Sequence, residues 1–359
     1  MGFKAQGLNI EEAICNYLEW LQCQSHELRH ITLRGNASPR LNGIISNMSN
    51  LESLSLCLGN SLLPKTFAII SSFPHLQELE VHAGHIHSSD VEDIWENESY
   101  TRFISLRRLH VRAKSSLIEN VLEFIQPDIL QHLHIELDDS SPSHSSWEVI
   151  FDIISHKASS TLQHLTFEHH FEIPEQSLPA QSDPTISQNS VSRISSMQFE
   201  SLKKLRKVSL LRQLSCDLTL PLIVNEQDLQ SVVSWWPLLD HLNLGSITGI
   251  DDPNQYTTPV KLTPAALSLF TTKLPNLRTL ILPSSIDDLL LSSAESQATI
   301  SDRLNNITIA GLETSNPQDL AKRLRTLFPA LQNLEGPCDD TPTWKQLKTA
   351  LQESYPHTL

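Results

Sequence analysis

The chain has 359 residues, a formal net charge of −15 at pH 7, and a composition that is 39% hydrophobic and 6% aromatic. That hydrophobic fraction is enough for a buried core, whereas the acidic balance argues against a broad surface for nucleic acid or an anionic membrane. No apolar run reaches membrane-spanning length. The five cysteines are scattered and odd in number. They predict reduced thiols rather than a disulfide framework, and so a cytoplasmic or nuclear protein.

The first predicted element is a helix, because "EEAICNYLEWLQ" carries apolar residues at helical spacing. We expect residues 1–27 to form an N-terminal helical cap. The end of this segment contains His26-Glu27-Leu28-Arg29-His30, which matches H-E-x-x-H. On a helix, that pattern brings two imidazoles to one zinc ion and places the glutamate as a general base. A zinc metallohydrolase is therefore one hypothesis.

A short frame, L-x-x-[hydrophobic]-x-[hydrophobic], recurs from this point to the end of the chain. Its alternation of apolar and other residues is typical of a strand with one buried face. Eleven copies begin between 23 and 43 residues apart. They start at Leu28, Leu51, Leu76, Leu106, Leu130, Leu162, Leu205, Leu239, Leu277, Leu304 and Leu331.

Segments with helical spacing, such as "TFAIISSF" and "IENVLEFI", lie between the frames. Several of them end at a proline just before the next frame, as in "FPHL" at 73–76, where proline stops a helix and favours extended backbone. Strand, turn and helix at this period predict an α/β leucine-rich-repeat solenoid (horseshoe) of about eleven irregular repeats. A parallel β-sheet would form its concave side, and helices its convex side. We expect a single domain over 1–359, with repeats over 28–335 and a C-terminal helical cap over 336–359.

Two stretches interrupt the repeats. Residues 171–200 are rich in Ser, Gln and Pro and lengthen one repeat to 43 residues, which predicts an inserted surface loop. Residues 245–262 form a second polar stretch after the eighth frame. Both would leave from the same side of the strands, either as tolerated insertions or as loops that touch a partner.

The frame also decides between the two interpretations of H-E-x-x-H. Leu28, Ile31 and Leu33 occupy the same positions as the apolar residues of ten other frames. The β-branched "HITLRG" ends in glycine, where a zinc-binding helix would continue. We therefore favour a strand that begins near Leu28, with His30 on its concave side, and keep the metallohydrolase as a remote alternative. No other catalytic arrangement, metal site or cofactor site is predicted.

Polar residues between the strand leucines should point away from the core, out of the concave sheet. Seven of the 16 histidines fall at such positions, and His82, His110 and His134 would form a row across three neighbouring strands. Three interpretations stay open: a solvated sheet face, a surface that recognises a protein partner, and a metal or pH-sensing site. The candidate partner-binding residues are His30, Glu78, Glu80, His82, Arg108, His110, Arg112, His132, His134, Glu136, His164, Lys207 and His241.

The proline-led "FPHLQELEV" and "LPNLRTLIL" strands and the opening "LEWLQCQSHELRHITL" resemble the leucine-rich region of fungal F-box proteins. In that family an F-box binds the adaptor of a cullin ubiquitin ligase and the repeats hold the substrate. The F-box itself is not found here. The resemblance implies a non-enzymatic scaffold that binds another protein, as the substrate-recognition part of such a ligase receptor. The alternative is a structural repeat subunit of a larger complex.

Overall fold

The computed structural model describes most of the chain, and the residues divide into two compact units. The first contains Met1–Asp139 and His156–Ala158, and the second contains Ser140–Ser155 and Ser159–Leu359. The single-domain interpretation stays a prediction. The described residues are 10–24, 27–97, 101–139, 144–171, 197–219, 222, 224–245, 260–262, 264–287, 301–314, 316–336 and 341–353.

The first unit alternates strands and helices along the chain. Its strands β1 to β5 pair in parallel in sequence order. A short 3₁₀ turn, Gly59–Ser61, precedes the third helix. The elements are α1 (Ile10–Gln24), β1 (His30–Arg34), α2 (Pro39–Ser46), β2 (Ser53–Cys57), α3 (Pro64–Ile70), β3 (Glu78–His82), α4 (Ser88–Asn97), β4 (Arg108–Ala113), α5 (Ser115–Phe124) and β5 (His132–Leu137).

The second unit repeats this organisation. Its strands β6, β7, β8, β10, β11 and β12 pair in parallel in that order, and β9 pairs with β10. The elements are α6 (His144–Lys157), β6 (His164–His169), α7 (Phe199–Leu202), a 3₁₀ helix (Lys203–Lys207), β7 (Gln213–Leu218), α8 (Glu226–Trp235), β8 (His241–Asn243), β9 (Val260–Leu262), α9 (Pro264–Lys273), β10 (Thr279–Asp287), β11 (Asn306–Glu313), α10 (Pro317–Leu327), β12 (Asn333–Glu335) and α11 (Pro342–Glu353).

One backbone contact recurs where nine of the described strands begin. The carbonyl of the residue after the frame leucine accepts two N–H groups from the next repeat. In the first repeat, the Arg29 carbonyl accepts from Glu52 at 2.8 Å and from Ser53 at 3.0 Å. The same double acceptance is made by the carbonyls of Glu52, Gln77, Arg107, Gln163, Arg212, Asp240, Arg278 and Asn305.

The frame residues supply the core of both units. Ile31, Leu54, Leu79, Leu109 and Leu133 are paired with one another across β1 to β5, and all five are buried. The intervening helices contribute large buried side chains to the same side, including Phe67 of α3 and Phe151 of α6. Parallel strands, intervening helices and a shared apolar register confirm the α/β leucine-rich-repeat prediction.

The seventh frame was placed wrongly by the sequence pattern. Lys207 was expected on a strand, but Lys203–Lys207 is a 3₁₀ helix, and β7 begins at Gln213 instead. The sequence offers two frames six residues apart, one starting at Leu205 and one at Leu211. The structure uses the second, in which Leu211, Leu214 and Cys216 are buried. Leu202, Leu205 and Val208 are buried at a spacing of three residues, which suits a helical turn.

Both predicted insertions lie mainly outside the described residues. Of the stretch 171–200, residues 172–196 are not described, and its end differs from the prediction because Phe199 is buried at the start of α7. Of the stretch 245–262, residues 246–259 are not described. Its last three residues are not loop, because they form β9 against β10. No helix among the described residues is long and apolar enough to cross a membrane.

A matched pair of substitutions tests the revised seventh repeat. Leu214 is 0% exposed and Leu210 is 39% exposed. We expect Leu214→Ala to lower the free energy of unfolding by about 2–5 kcal/mol, because it leaves a cavity in a packed core. Leu210→Ala should change it by less than about 1 kcal/mol. Urea unfolding followed by circular dichroism measures both, and the reverse order of effects would restore the frame that starts at Leu205.

Candidate functional site

The structure places twelve of the thirteen candidate residues on strands. Lys207, in the 3₁₀ helix, is the exception. Ten of the twelve belong to the first unit, and His164 and His241 belong to the second. We call the ten the polar sheet face: His30, Glu78, Glu80, His82, Arg108, His110, Arg112, His132, His134 and Glu136.

Strand geometry explains why these side chains share one face. Successive side chains of a strand point to opposite faces. In β3 and β5 the candidate residues are half-buried and alternate with fully buried frame residues. The in-register pairing then sets Glu80 beside His110, and His110 beside His134. Polar residues that are 30 and 24 positions apart in the chain therefore become neighbours.

The predicted row of histidines is confirmed. The rings of His110 and His134 are stacked, with centroids 4.0 Å apart and planes at 4°. The His82 ring meets His110 edge-on at a centroid distance of 6.1 Å. The imidazoles of three adjacent strands are thus in mutual contact along one row.

Two carboxylates flank the middle ring of this row. His110 Nε2 lies 2.6 Å from Glu136 Oε1, a strong hydrogen bond. Its other ring nitrogen, Nδ1, faces Glu80 Oε1 at 3.8 Å. The His134 Nε2 atom lies 4.0 Å from the same Glu136 oxygen. His110 is therefore held between a glutamate of β3 and a glutamate of β5.

Strand β2 adds two groups that were not among the candidate residues. The Ser55 hydroxyl donates to Glu80 Oε2 at 2.6 Å, and the Cys57 thiol lies 3.6 Å from Glu80 Oε1. Cys57 Sγ is also 3.8 Å from His82 Nε2. Ser55 pairs with Glu80 across β2 and β3. Because the two residues occupy the same position in successive frames, an alignment of the repeats would have placed Ser55 beside Glu80. We call Cys57, Glu80, His82, His110 and Glu136 the central cluster.

Three pKa values of the central cluster are shifted. The hydrogen bond from Ser55 lowers the pKa of Glu80, with a smaller contribution from the charge of His110. Burial lowers the pKa of His82, and the negative charge of Glu136 opposes part of this shift by raising the pKa. Burial and the nearby Glu80 carboxylate raise the pKa of the Cys57 thiol. At neutral pH these directions favour an ionised Glu80, a neutral His82 and a protonated Cys57.

Ion pairs border the central cluster. Arg108 contacts Glu78 at 3.1 Å, and Arg112 contacts Asp138 at 3.0 Å. Asp138 was not predicted, because it follows the end of β5 rather than occupying a strand position. The chain passes Asp138 so closely at Gly84 that a Cβ there would overlap the carboxylate. A glycine at that position lets the Asp138 carboxylate take up its place beside Arg112.

The second unit has a less charged row of polar residues. His164 Nδ1 lies 3.1 Å from Gln213 Oε1, and Asn333 donates to Asn306 at 2.7 Å. Burial lowers the pKa of His241. A group formed by Glu168, His170 and Asp217 also lies in this unit, but His170 and Asp217 are exposed.

The H-E-x-x-H residues do not form a zinc-binding helix where they are described. His26 lies outside the described residues, Glu27 is in a turn, Leu28 and Arg29 belong to no helix or strand, and His30 begins β1. Two imidazoles on successive turns of one helix would require helical backbone through Leu28 and Arg29. The strand interpretation of this segment is confirmed for residues 30–34.

No family model and no curated protein sequence matches the chain. Among solved structures, the chain is similar to the leucine-rich repeat-containing protein LegL7 from Legionella pneumophila, with 12% sequence identity and a TM-score of 0.41 over 95% of each chain. The fold assignment rests on the strand pairing and the repeat register. Such a fold is typically a non-enzymatic binding scaffold.

Substitution of Ser55 tests the electrostatics of the central cluster. Ser55→Ala removes the main cause of the lowered Glu80 pKa, so we expect that pKa to rise, as measured by carboxyl NMR titration. The variant should lose about 1–3 kcal/mol of stability at neutral pH, since a buried hydrogen bond to a charged group is lost. A carboxyl with a lowered pKa stabilises the fold above its unfolded pKa and loses that contribution as pH falls through the folded pKa. The stability difference should therefore shrink in acid.

Ser53→Ala is the matched control for this measurement, because the Ser53 hydroxyl donates to Glu78 rather than to Glu80. It should leave the Glu80 titration unchanged. Equal Glu80 pKa values in wild type and Ser55→Ala would contradict the proposed cause of the shift.

Proposed function

We propose that the chain is a non-enzymatic scaffold that binds another protein through the polar sheet face. The observation that supports this most directly is the arrangement of charged and imidazole side chains in fixed rows across β1 to β5. Their backbones are held by strand pairing, so little backbone entropy is lost when a partner binds. A leucine-rich-repeat fold by itself suggests a protein-interaction scaffold.

The charges of the face indicate how such a partner would be recognised. Arg108 and Glu78 contact each other, yet their side chains are 59% and 46% exposed, so both stay within reach of a partner. Positive and negative groups alternate from strand to strand, and electrostatic complementarity to such a pattern gives specificity more than raw affinity. A partner would therefore present the inverse pattern of charges, rather than one uniformly basic surface.

A charge exchange separates recognition from folding. The double variant Glu78→Arg/Arg108→Glu keeps an ion pair at the same place but inverts the pattern that a partner meets. Exposed pairs contribute only about 0–1 kcal/mol, so the thermal midpoint should hardly change. We expect the affinity for a partner captured from the source extract to fall by a factor on the order of ten or more, as measured by surface plasmon resonance.

The control exchange is made away from the polar sheet face. Glu19 of α1 and Arg40 of α2 form a similarly exposed pair at 2.6 Å, and Glu19→Arg/Arg40→Glu should leave partner affinity unchanged. Unaltered affinity in the Glu78/Arg108 exchange, or an equal loss in both exchanges, would refute recognition through this face.

The resemblance to fungal F-box proteins supports a more specific form of the proposal, in which the chain selects substrates for a cullin ubiquitin ligase in the cytoplasm or nucleus. A ligase adaptor would need an additional surface. Helix α1 exposes Ile10, Ile14, Tyr17 and Trp20, and Tyr17 and Trp20 stack at 5.9 Å. Exposed aromatic groups of this kind are common at protein interfaces.

Affinity capture followed by mass spectrometry tests the ligase role. Wild-type protein should recover cullin-ligase subunits, and Tyr17→Ser/Trp20→Ser should lose them while keeping the partner bound to the polar sheet face. Recovery of that partner without any ligase subunit would leave the scaffold function in place and reject the ligase role.

A further inference from the structure

The central cluster brings together side chains of the types that bind transition metals. His82, His110 and Glu136 each offer one donor atom, and these three atoms lie within 4.8 Å of one another. Each residue comes from a different strand: β3, β4 and β5. Two imidazoles and a carboxylate form a donor set that zinc uses when a fourth position is left for water or another ligand.

The distances are close to those that a metal requires. Zinc binds nitrogen and oxygen donors at roughly 2.0–2.2 Å, so tetrahedral donors lie about 3.4 Å apart. The separation of His110 Nε2 and Glu136 Oε1 is already 2.6 Å, so an ion would separate these atoms and draw His82 inward. Side-chain rotation can supply these shifts, because the three residues are half-buried rather than tightly packed.

The surroundings of His110 supply a second observation. Imidazoles that bind a metal through one nitrogen commonly donate the other N–H to a carboxylate, which fixes the orientation of the ring. His110 comes near this arrangement, since Nε2 faces Glu136 while Nδ1 faces Glu80 at 3.8 Å, a separation that a small side-chain movement would shorten to a hydrogen bond. Glu80 is itself oriented by the Ser55 hydroxyl at 2.6 Å. The ring is thus held in the orientation that a metal ligand needs.

Charged groups near the central cluster both favour and oppose a divalent cation. Glu80 and Glu136 contribute two negative charges to the central cluster. The nearest cation, Arg112, is 4.0 Å from Glu136 but contacts Asp138 more closely, at 3.0 Å. Arg34 of β1 also acts on Glu80 and on Cys57. These guanidinium groups oppose an ion, so the imidazole donors would have to supply much of the binding energy.

We propose that the central cluster binds one divalent transition-metal ion of the zinc class, through His82, His110 and Glu136, with Glu80 as the group that positions His110. Nitrogen donors favour such ions over Mg²⁺ and Ca²⁺, which prefer oxygen ligands. The ion takes the place of the hydrogen bond between His110 Nε2 and Glu136, and a neutral His110 then carries its ring proton on Nδ1, which faces Glu80. The proposed site shares no residue with the H-E-x-x-H motif, and metal binding there does not require the proposed protein partner.

The test is calorimetric titration of the chelator-treated full chain with Zn²⁺ at pH 7.5. We expect one equivalent of Zn²⁺ to bind, and no binding of Mg²⁺. His82→Asn, His110→Gln and Glu136→Gln should each weaken binding by about 100-fold or more. Glu80→Gln should weaken it by about 10–100-fold, the usual effect of losing a carboxylate that orients a ligand.

His75→Gln is the matched control, because His75 is an exposed histidine of the same unit that lies outside the central cluster. It should bind Zn²⁺ like wild type, and circular dichroism should show that every variant is folded. The proposal is overturned if wild type binds no stoichiometric Zn²⁺, or if His75→Gln loses as much affinity as His110→Gln.

Cys57 tests the choice of ligands. Cys57, Glu80 and His82 form a second set of donors within 4.8 Å. Under the proposal, Cys57→Ser leaves the Zn²⁺ affinity unchanged, and the Co²⁺ complex of wild type lacks a sulfur-to-cobalt charge-transfer band. If Cys57→Ser loses Zn²⁺ affinity while His110→Gln binds Zn²⁺ normally, the proposed ligands are wrong and the ion binds to Cys57, Glu80 and His82 instead. None of these outcomes involves the partner, so they leave the scaffold proposal untouched.

Discussion

Both units depend on one constraint, the pair of hydrogen bonds that a single carbonyl accepts from the next repeat at the start of most strands. When the Arg29 carbonyl accepts from Glu52 and Ser53, the start of β2 is fixed in register with the start of β1. A shift by one residue would break both bonds and turn the apolar residues of the strand to the opposite face. Because Glu52 in turn accepts from Gln77 and Glu78, the alignment passes from repeat to repeat. Helices can differ in length without disturbing it.

This alignment also determines what the polar sheet face can do. It brings the outward residues of neighbouring strands to a spacing of about 4.8 Å, which is short enough for direct hydrogen bonds between side chains. Glutamates on β3 and β5 can therefore both reach His110 on β4. The three strands act as a rigid frame for polar groups, in the same way that they hold the core residues on the opposite side. Core packing and polar geometry thus share one cause.

Sequence periodicity predicts the part of this arrangement that the repeat controls. It identifies the described strands other than β7 and β9, the buried side of each of those strands, and the row formed by His82, His110 and His134. It failed where two frames compete, because Leu205 and Leu211 both begin an acceptable pattern and only the packing of Leu214 and Cys216 decides between them. It could not supply the contacts of Asp138, which lies beyond the strand, or show that Glu80 is oriented by Ser55. Such contacts depend on side-chain rotamers and on neighbours of both strands, and a one-dimensional pattern does not contain them.

The contrast between His30 and His110 shows how a motif should be interpreted in a repeat protein. A contiguous pattern such as H-E-x-x-H has chemical meaning only on a helix, where residues four apart share a face. In a parallel sheet, residues that meet are about one repeat apart: Glu80 pairs with His110, and Glu136 lies two positions beyond His134, the residue that pairs with His110 on the other side. Groups that can act together must therefore be sought at equivalent positions of successive frames. The histidine that matches the familiar motif starts the exposed strand β1, whereas the histidine that meets two carboxylates belongs to no contiguous motif.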